Sequence, residues 1–162
     1  MSSVTFHYVT AKNFRSVGNM PMTFNFEDAP NKLVVSTDNG IGKSTMTVHA
    51  LEYVLFDKAY DKGCKKTSLV NSRSNKECVV EVEFTTRGSR YLVRRGMKPT
   101  VFDVLKDGVR IEDEAALKDY QACLEGILGF DEKTFLNSVA LGRDKFVPFI
   151  EMSLGDRRNY VE

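Results

Sequence analysis

No run of 18 apolar residues occurs in the 162-residue chain, so no segment has the length and apolarity to span a bilayer. The N-terminus, MSSVTFHYV, lacks the basic region and apolar stretch of a secretory signal. Cysteine is scarce: Cys64, Cys78 and Cys123 are odd in number and form no C-x-x-C pair. That argues against a disulfide framework or a zinc site and fits a reducing cytosol. Low-complexity tracts are missing too. What remains is the composition of a soluble globular protein, 42% apolar and 28% charged, long enough for one domain with a real core.

The net charge is only +1, but its distribution is uneven. Lys58 to Lys76 holds six basic residues against Asp61, and Thr86 to Lys98 holds five with no acid. From Ile111 to Glu132 the balance reverses, with seven acids against Lys118. Such blocks attract polyanions on one side, or are simply solvated loops beside an acidic helix face.

Periodicity orders the chain. V4-T5-F6-H7-Y8-V9 and M22-T23-F24-N25-F26 alternate as strands, and K32-L33-V34-V35 is a short apolar run of the kind buried on both faces. Met46 to Phe56 reads as a helix, with Val48, Leu51, Val54 and Leu55 at helical spacing. Lys58–Lys76 is polar and aperiodic, an exposed loop. Two hairpins are predicted next, turning at R87-G88-S89 and K106-D107-G108. A helix over 114–128 places Leu117, Tyr120, Leu124, Ile127 and Leu128 on one face. Gly129 is set to cap it and Asp131 to start another helix, carrying Phe135, Leu136 and Val139. A last helix begins near Ser153 with no stop signal, which predicts continuation past Glu162. His7 and His49 are lone histidines with structural roles expected, and Met20, Met22 and Met46 read as core or strand filling.

Chemistry concentrates in T37-D38-N39-G40-I41-G42-K43-S44-T45, a near match to the phosphate-loop pattern G-x-x-x-x-G-K-[ST], with an apolar strand before it and a helix after. Such loops converge backbone N–H groups on phosphate oxygens at a helix N-terminus. Gly40 and Gly42 let the main chain approach closely. Lys43 is placed for the β- and γ-phosphates, Ser44 for Mg²⁺, and Thr45 for the α-phosphate. Thr37 stands where the pattern has glycine. A corner with negative φ accommodates it; a positive φ costs about 1–2 kcal/mol, roughly tenfold in affinity. The hydrolytic partner motif, four apolar residues ending in Asp, is not convincingly present. Y53-V-L-F-D57 lies on the loop's own helix, and L128-G-F-D-E132 reads as a cap pair. No catalytic acid is therefore assigned within the chain.

The order of K12-N-F-R-S-V-G18, the phosphate loop, the basic loop, the paired hairpins and R157-R-N-Y-V-E162 resembles the N-terminal ATPase half of SMC-like DNA-repair ATPases. Within them the likeness is to the ATPase subunit of SbcCD-type nucleases carried by tailed phages. The resemblance implies an α/β fold, the N-terminal lobe of an ABC-type P-loop ATPase head. Its mixed sheet with antiparallel hairpins, loop helix and two later helices would fill residues 1–155, with a coiled-coil helix starting over 156–162. It implies ATP and Mg²⁺ bound by Arg15, Ser16 and residues Thr37, Asp38, Asn39, Gly40, Ile41, Gly42, Lys43, Ser44 and Thr45. Implied partners are a C-terminal lobe, a second copy, a nuclease subunit and duplex DNA, in a cytoplasm that is the host's if the gene is a phage's. Lys62, Lys65, Lys66, Arg94 and Arg95 are the candidate DNA contacts. Where relatives place a Gln near Mg²⁺, the chain has Arg143, which offers only donors and cannot ligate a metal. With Thr37, that departure predicts slow or partner-dependent hydrolysis. The competing readings are a self-sufficient P-loop phosphotransferase and a scaffold with weakened nucleotide binding.

Overall fold

The alternating segments become strands. The computed structural model describes residues 3–27, 38, 42–61, 63–111, 117–140, 147–148 and 151–161. The expected strand at 32–35 and Thr37, Asn39, Gly40, Ile41, Lys62 and Arg143 lie outside the described residues. The chain divides into two units, Met1–Gly129 and Phe130–Glu162. In the first, β1 (Val4–Lys12), β2 (Met22–Asn25), β3 (Cys78–Thr86), β4 (Ser89–Met97), β5 (Val101–Lys106) and β6 (Val109–Arg110) form one sheet. Its order is β2-β1-β3-β4-β5-β6, with every neighbouring pair antiparallel.

Both predicted hairpins form, and their turns explain the register. Arg87 and Gly88 have φ of 51° and 78°, and Asp107 and Gly108 have 49° and 83°. Two successive positive φ values make a two-residue turn whose twist matches the strands it joins. Thr86 therefore faces Ser89, and Lys106 faces Val109.

Strand β3 is buried at every second residue, so Cys78, Val80, Val82, Phe84 and Thr86 line one face. That face carries the helix α1 (Ala50–Phe56), which packs on β1, β3 and β4. All seven α1 residues are buried. The expected apolar stripe of Val48, Leu51, Val54 and Leu55 therefore understates a helix enclosed on all sides. Burial pushes the Cys78 thiol up to about 12. The Tyr53 phenol is also raised, chiefly by burial and then by the neighbouring Cys78.

Three local expectations need correction. The 58–76 segment is not simply an exposed loop: a 3₁₀ turn at Lys66–Leu69 leads into buried Leu69, Val70 and Asn71, and Val70 pairs with Phe14. Met20 and Met22 are exposed, Met22 on strand β2, and only Met46 of the three enters the core. Neither histidine is alone: His7 pairs with Glu27 and with Thr85 Oγ1 (2.7 Å), and His49 Nδ1 lies 2.7 Å from Arg15 Nη1.

The helix α2 (Leu117–Leu128) ends the first unit with Gly129 at φ 78°, its N–H bonded to Glu125 O at 2.8 Å. Tyr120, Leu124 and Leu128 are buried as their spacing predicts. The Tyr120 hydroxyl accepts the Val104 N–H at 2.9 Å and donates to Ile111 O at 2.9 Å, tying α2 to β5. The second unit holds α3 (Glu132–Ser138) and α4 (Leu154–Val161). Asp131 caps α3 by accepting the Thr134 N–H at 2.8 Å. Phe135 and Leu136 are buried, while Val139 is half exposed. Among the described residues no helix is long and apolar enough to cross a membrane.

Candidate functional site

After β1 the chain makes a tight reversal. Asn13 and Arg15 both sit at φ 51°, a left-handed backbone that costs a non-glycine residue about 1–2 kcal/mol. The compensation is visible. Asn13 N–H bonds Gly18 O at 2.9 Å and Arg15 N–H bonds Leu69 O at 2.7 Å. Asn71 Nδ2 donates to Arg15 O at 2.7 Å. Phe14, fully buried between these two residues, stacks on Tyr53 of α1 with ring centroids 5.5 Å apart. The reversal is thereby anchored to the helix that follows the phosphate loop, which brings Arg15 and Ser16 to that loop's end.

At Gly42, φ is +96°, and an added Cβ would lie 3.0 Å from Ser16 Oγ. Glycine serves twice here, for its backbone angle and for the close approach of the reversal. Helical hydrogen bonding begins at once, with Met46 N–H on Gly42 O at 3.0 Å. Ser44 is exposed at the start of that helix, and Lys43 Nζ donates to Asp38 O at 3.1 Å across the loop. The next turn, Thr45–His49, is a π turn whose closing N–H, on Ala50, reaches back to Thr45 O. Thr47 Oγ1 donates to Lys43 O at 3.0 Å in the same turn.

Arg15, Ser16, Gly42, Lys43, Ser44, Thr45 and His49 line a cavity of about 480 Å³. Seven residues from two distant segments thus converge on one opening with two cationic side chains, hydroxyls and a helix start, a donor set suited to an anion. For Mg²⁺ the exposed Ser44 hydroxyl at the helix start is one hard oxygen ligand on this wall. Arg15, Ser16, Gly42, Lys43, Ser44 and Thr45 were expected at such a site. His49 was not. Its Nδ1 lies 2.7 Å from Arg15 Nη1, and Arg15 Nη1 donates to Asp61 Oδ2 at 2.5 Å. A histidine six residues after the loop lysine gives no sequence signal, because the π turn shifts its direction.

The candidate DNA contacts do not share a surface. Arg94 and Arg95 are adjacent on β4, so they point to opposite sheet faces. Arg94 is on the open face, paired with Glu81, in a row where Arg90 meets Glu83 and Arg110 meets Asp103. Arg95 is only 6% exposed: Nε donates to Val54 O at 3.0 Å, Nη2 to Gln121 Oε1 at 2.6 Å, and the guanidinium lies 3.7 Å over the Phe102 ring. Burial lowers its pKa against the pull of Asp57. Arg95 is thus a structural residue, which corrects its assignment as a surface contact. Lys65 and Lys66 are exposed, and Lys66 Nζ reaches Asp57 Oδ2 at 2.7 Å. Asp57 itself closes α1 at φ 59° and does not line the anion cavity.

The chain is similar to known proteins. The AAA domain family matches residues 8–158. "Exonuclease subunit 2" of Enterobacteria phage T4 is 35% identical over all 162 residues, and the protein of that name in Escherichia phage RB69 is 34% identical. The chain spans 28% of the length of these two curated relatives. A "Probable DNA double-strand break repair Rad50 ATPase" of Aquifex aeolicus (strain VF5) is 30% identical over 125 residues, covering 74% of this chain and 12% of that protein. Among solved structures, one from work on ATP-driven dimerization and DNA-stimulated activation of SMC ATPases superposes with a TM-score of 0.66. It covers 97% of both chains at 19% identity, a likeness of fold.

Proposed function

The chain belongs to the AAA domain family and has the fold of an SMC-like ATPase head's N-terminal lobe, and from that premise we propose that it binds the triphosphate of Mg-ATP. The observation that carries the proposal is the cavity where Lys43, Ser44, Gly42, Arg15 and Ser16 converge. Lys43 takes the β- and γ-phosphates and the Ser44 hydroxyl ligates Mg²⁺, which neutralises phosphate charge when bound. On this reading Thr45 and the rest of the motif, residues 37–41, also contact the nucleotide.

Hydrolysis on this reading needs what the chain does not itself supply. A C-terminal lobe provides the acidic residues, a second copy closes over the nucleotide, and α4 belongs to a coiled coil. The assembled pair clamps duplex DNA and gates a nuclease subunit, as the name of the phage relatives prompts. Lys65, Lys66 and Arg94 are the remaining DNA-contact candidates. With Thr37 and Arg143 at these positions, turnover on this reading is slow or partner-dependent. An antiparallel sheet next to the loop helix is unlike the alternating β-α units of a self-sufficient phosphotransferase.

Calorimetric titration of Mg-ATP into the full-length protein tests the reading, with Lys43→Ala as the comparison. We expect saturable binding that Lys43→Ala weakens at least tenfold. Equal affinity in the two proteins refutes it.

A further inference from the structure

Arg15 enters the anion cavity already tethered. Its Nη1 contacts Asp61 Oδ2 at 2.5 Å and His49 Nδ1 at 2.7 Å. An arginine terminal nitrogen carries two N–H groups and no acceptor, so both are spent, and three remain on Nε and Nη2. Because arginine can only donate, His49 Nδ1 must accept, which places the imidazole proton on Nε2 and makes the ring neutral. The 3.8 Å between His49 Nδ1 and Asp61 Oδ2 is too long for a hydrogen bond, so the carboxylate's near partner is the guanidinium. The His49 ring is itself buried and held 5.0 Å from the ring of Tyr60.

The π turn sets the direction in which His49 leaves the helix axis. It ends at His49 and contains one residue more than an α turn. Without the extra residue every later side chain would be rotated by roughly 100° about the axis. The same π turn forms part of the wall of the cavity. The partner's backbone is equally fixed, since Arg15 is held in its left-handed conformation by Leu69 and Asn71.

We propose that His49 is a positioning residue for nucleotide binding: with Asp61 it clamps Arg15 Nη1, so that the Nε–Nη2 edge is preset for bidentate contact with phosphate oxygens. The inference rests on the phosphate-site reading above. Its chemistry is that of a long cationic side chain whose freedom is removed before the ligand arrives.

The test compares variants of the full-length protein by Mg-ATP titration. His49→Asn carries an acceptor oxygen close to the Nδ1 position, whereas His49→Leu keeps bulk without an acceptor. We expect His49→Leu to bind about tenfold more weakly and His49→Asn to stay within about twofold of the parent. In an Arg15→Ala background His49→Leu should add nothing. Should His49→Leu fail to fold, His49→Gln, whose acceptor lies nearer the Nε2 position, takes its place against His49→Asn. If Lys43→Ala abolishes binding while His49→Leu matches the parent, the positioning role is wrong and the phosphate site stands. A loss that persists in the Arg15→Ala background also overturns it. Binding indifferent to Lys43→Ala removes the phosphate-site reading and this proposal with it.

Discussion

Replacing Gly42 with alanine is the most direct way to ask whether the loop works in the conformation seen here. The added methyl group meets two obstacles. At φ +96° an L side chain costs about 1–2 kcal/mol. Its Cβ would also stand 3.0 Å from Ser16 Oγ, so the serine must leave its position, at about 0.5–1.5 kcal/mol if it is driven off its rotamer. Together they amount to about 1.5–3.5 kcal/mol, or roughly 10- to 300-fold in affinity if the bound loop keeps this geometry. Mg-ATP titration of Gly42→Ala in the full-length protein measures it. Adding Ser16→Ala should return only the contact part, about fivefold, and leave the backbone part in place. Near-parental affinity in Gly42→Ala would refute the reasoning, because it would mean that the nucleotide-bound loop does not need a left-handed residue at 42.

Arg95→Ala should lower stability by about 2–4 kcal/mol in urea titration, since Val54 O and Gln121 lose a buried donor. Arg94→Ala, at an exposed pair, should change stability by less than about 0.5 kcal/mol. A drop in DNA affinity for Arg95→Ala without loss of stability would return it to the surface contacts. Cys78 should resist iodoacetamide at pH 8 while Cys64 reacts, because burial keeps its thiol protonated. The folded thiol's pKa is raised from about 9 to about 12, so its contribution is complete below pH 9 and is lost as pH rises towards 12. The urea midpoint should fall across that window, and equal labelling of Cys78 and Cys64 would contradict the burial.

Local chemistry was legible in the sequence wherever neighbouring residues alone set the backbone. Arg87-Gly88 and Asp107-Gly108 supply the two positive φ values of their turns, Gly129 the left-handed cap and Asp131 the oxygen for the Thr134 N–H. The hairpin containing β3 was likewise expected, though its buried face was seen only in the structure, and the G-x-G-K-S-T letters marked Gly42, Lys43 and Ser44, which line one cavity wall. Long-range partners were not legible. His49 finds Arg15 34 positions away, and Phe14 finds Tyr53 39 away. Nothing local to either residue records that closure. Arg94 and Arg95 look alike in the sequence, yet packing of α1 against one sheet face buries the second and leaves the first in water. The sequence by itself determined where the hairpins turn and which stretch matches the phosphate-loop pattern, since each depends on torsions and spacing a few residues wide. Only the tertiary structure decided what stands opposite the loop, because that depends on how the reversal at Phe14 docks onto a helix enclosed by the sheet.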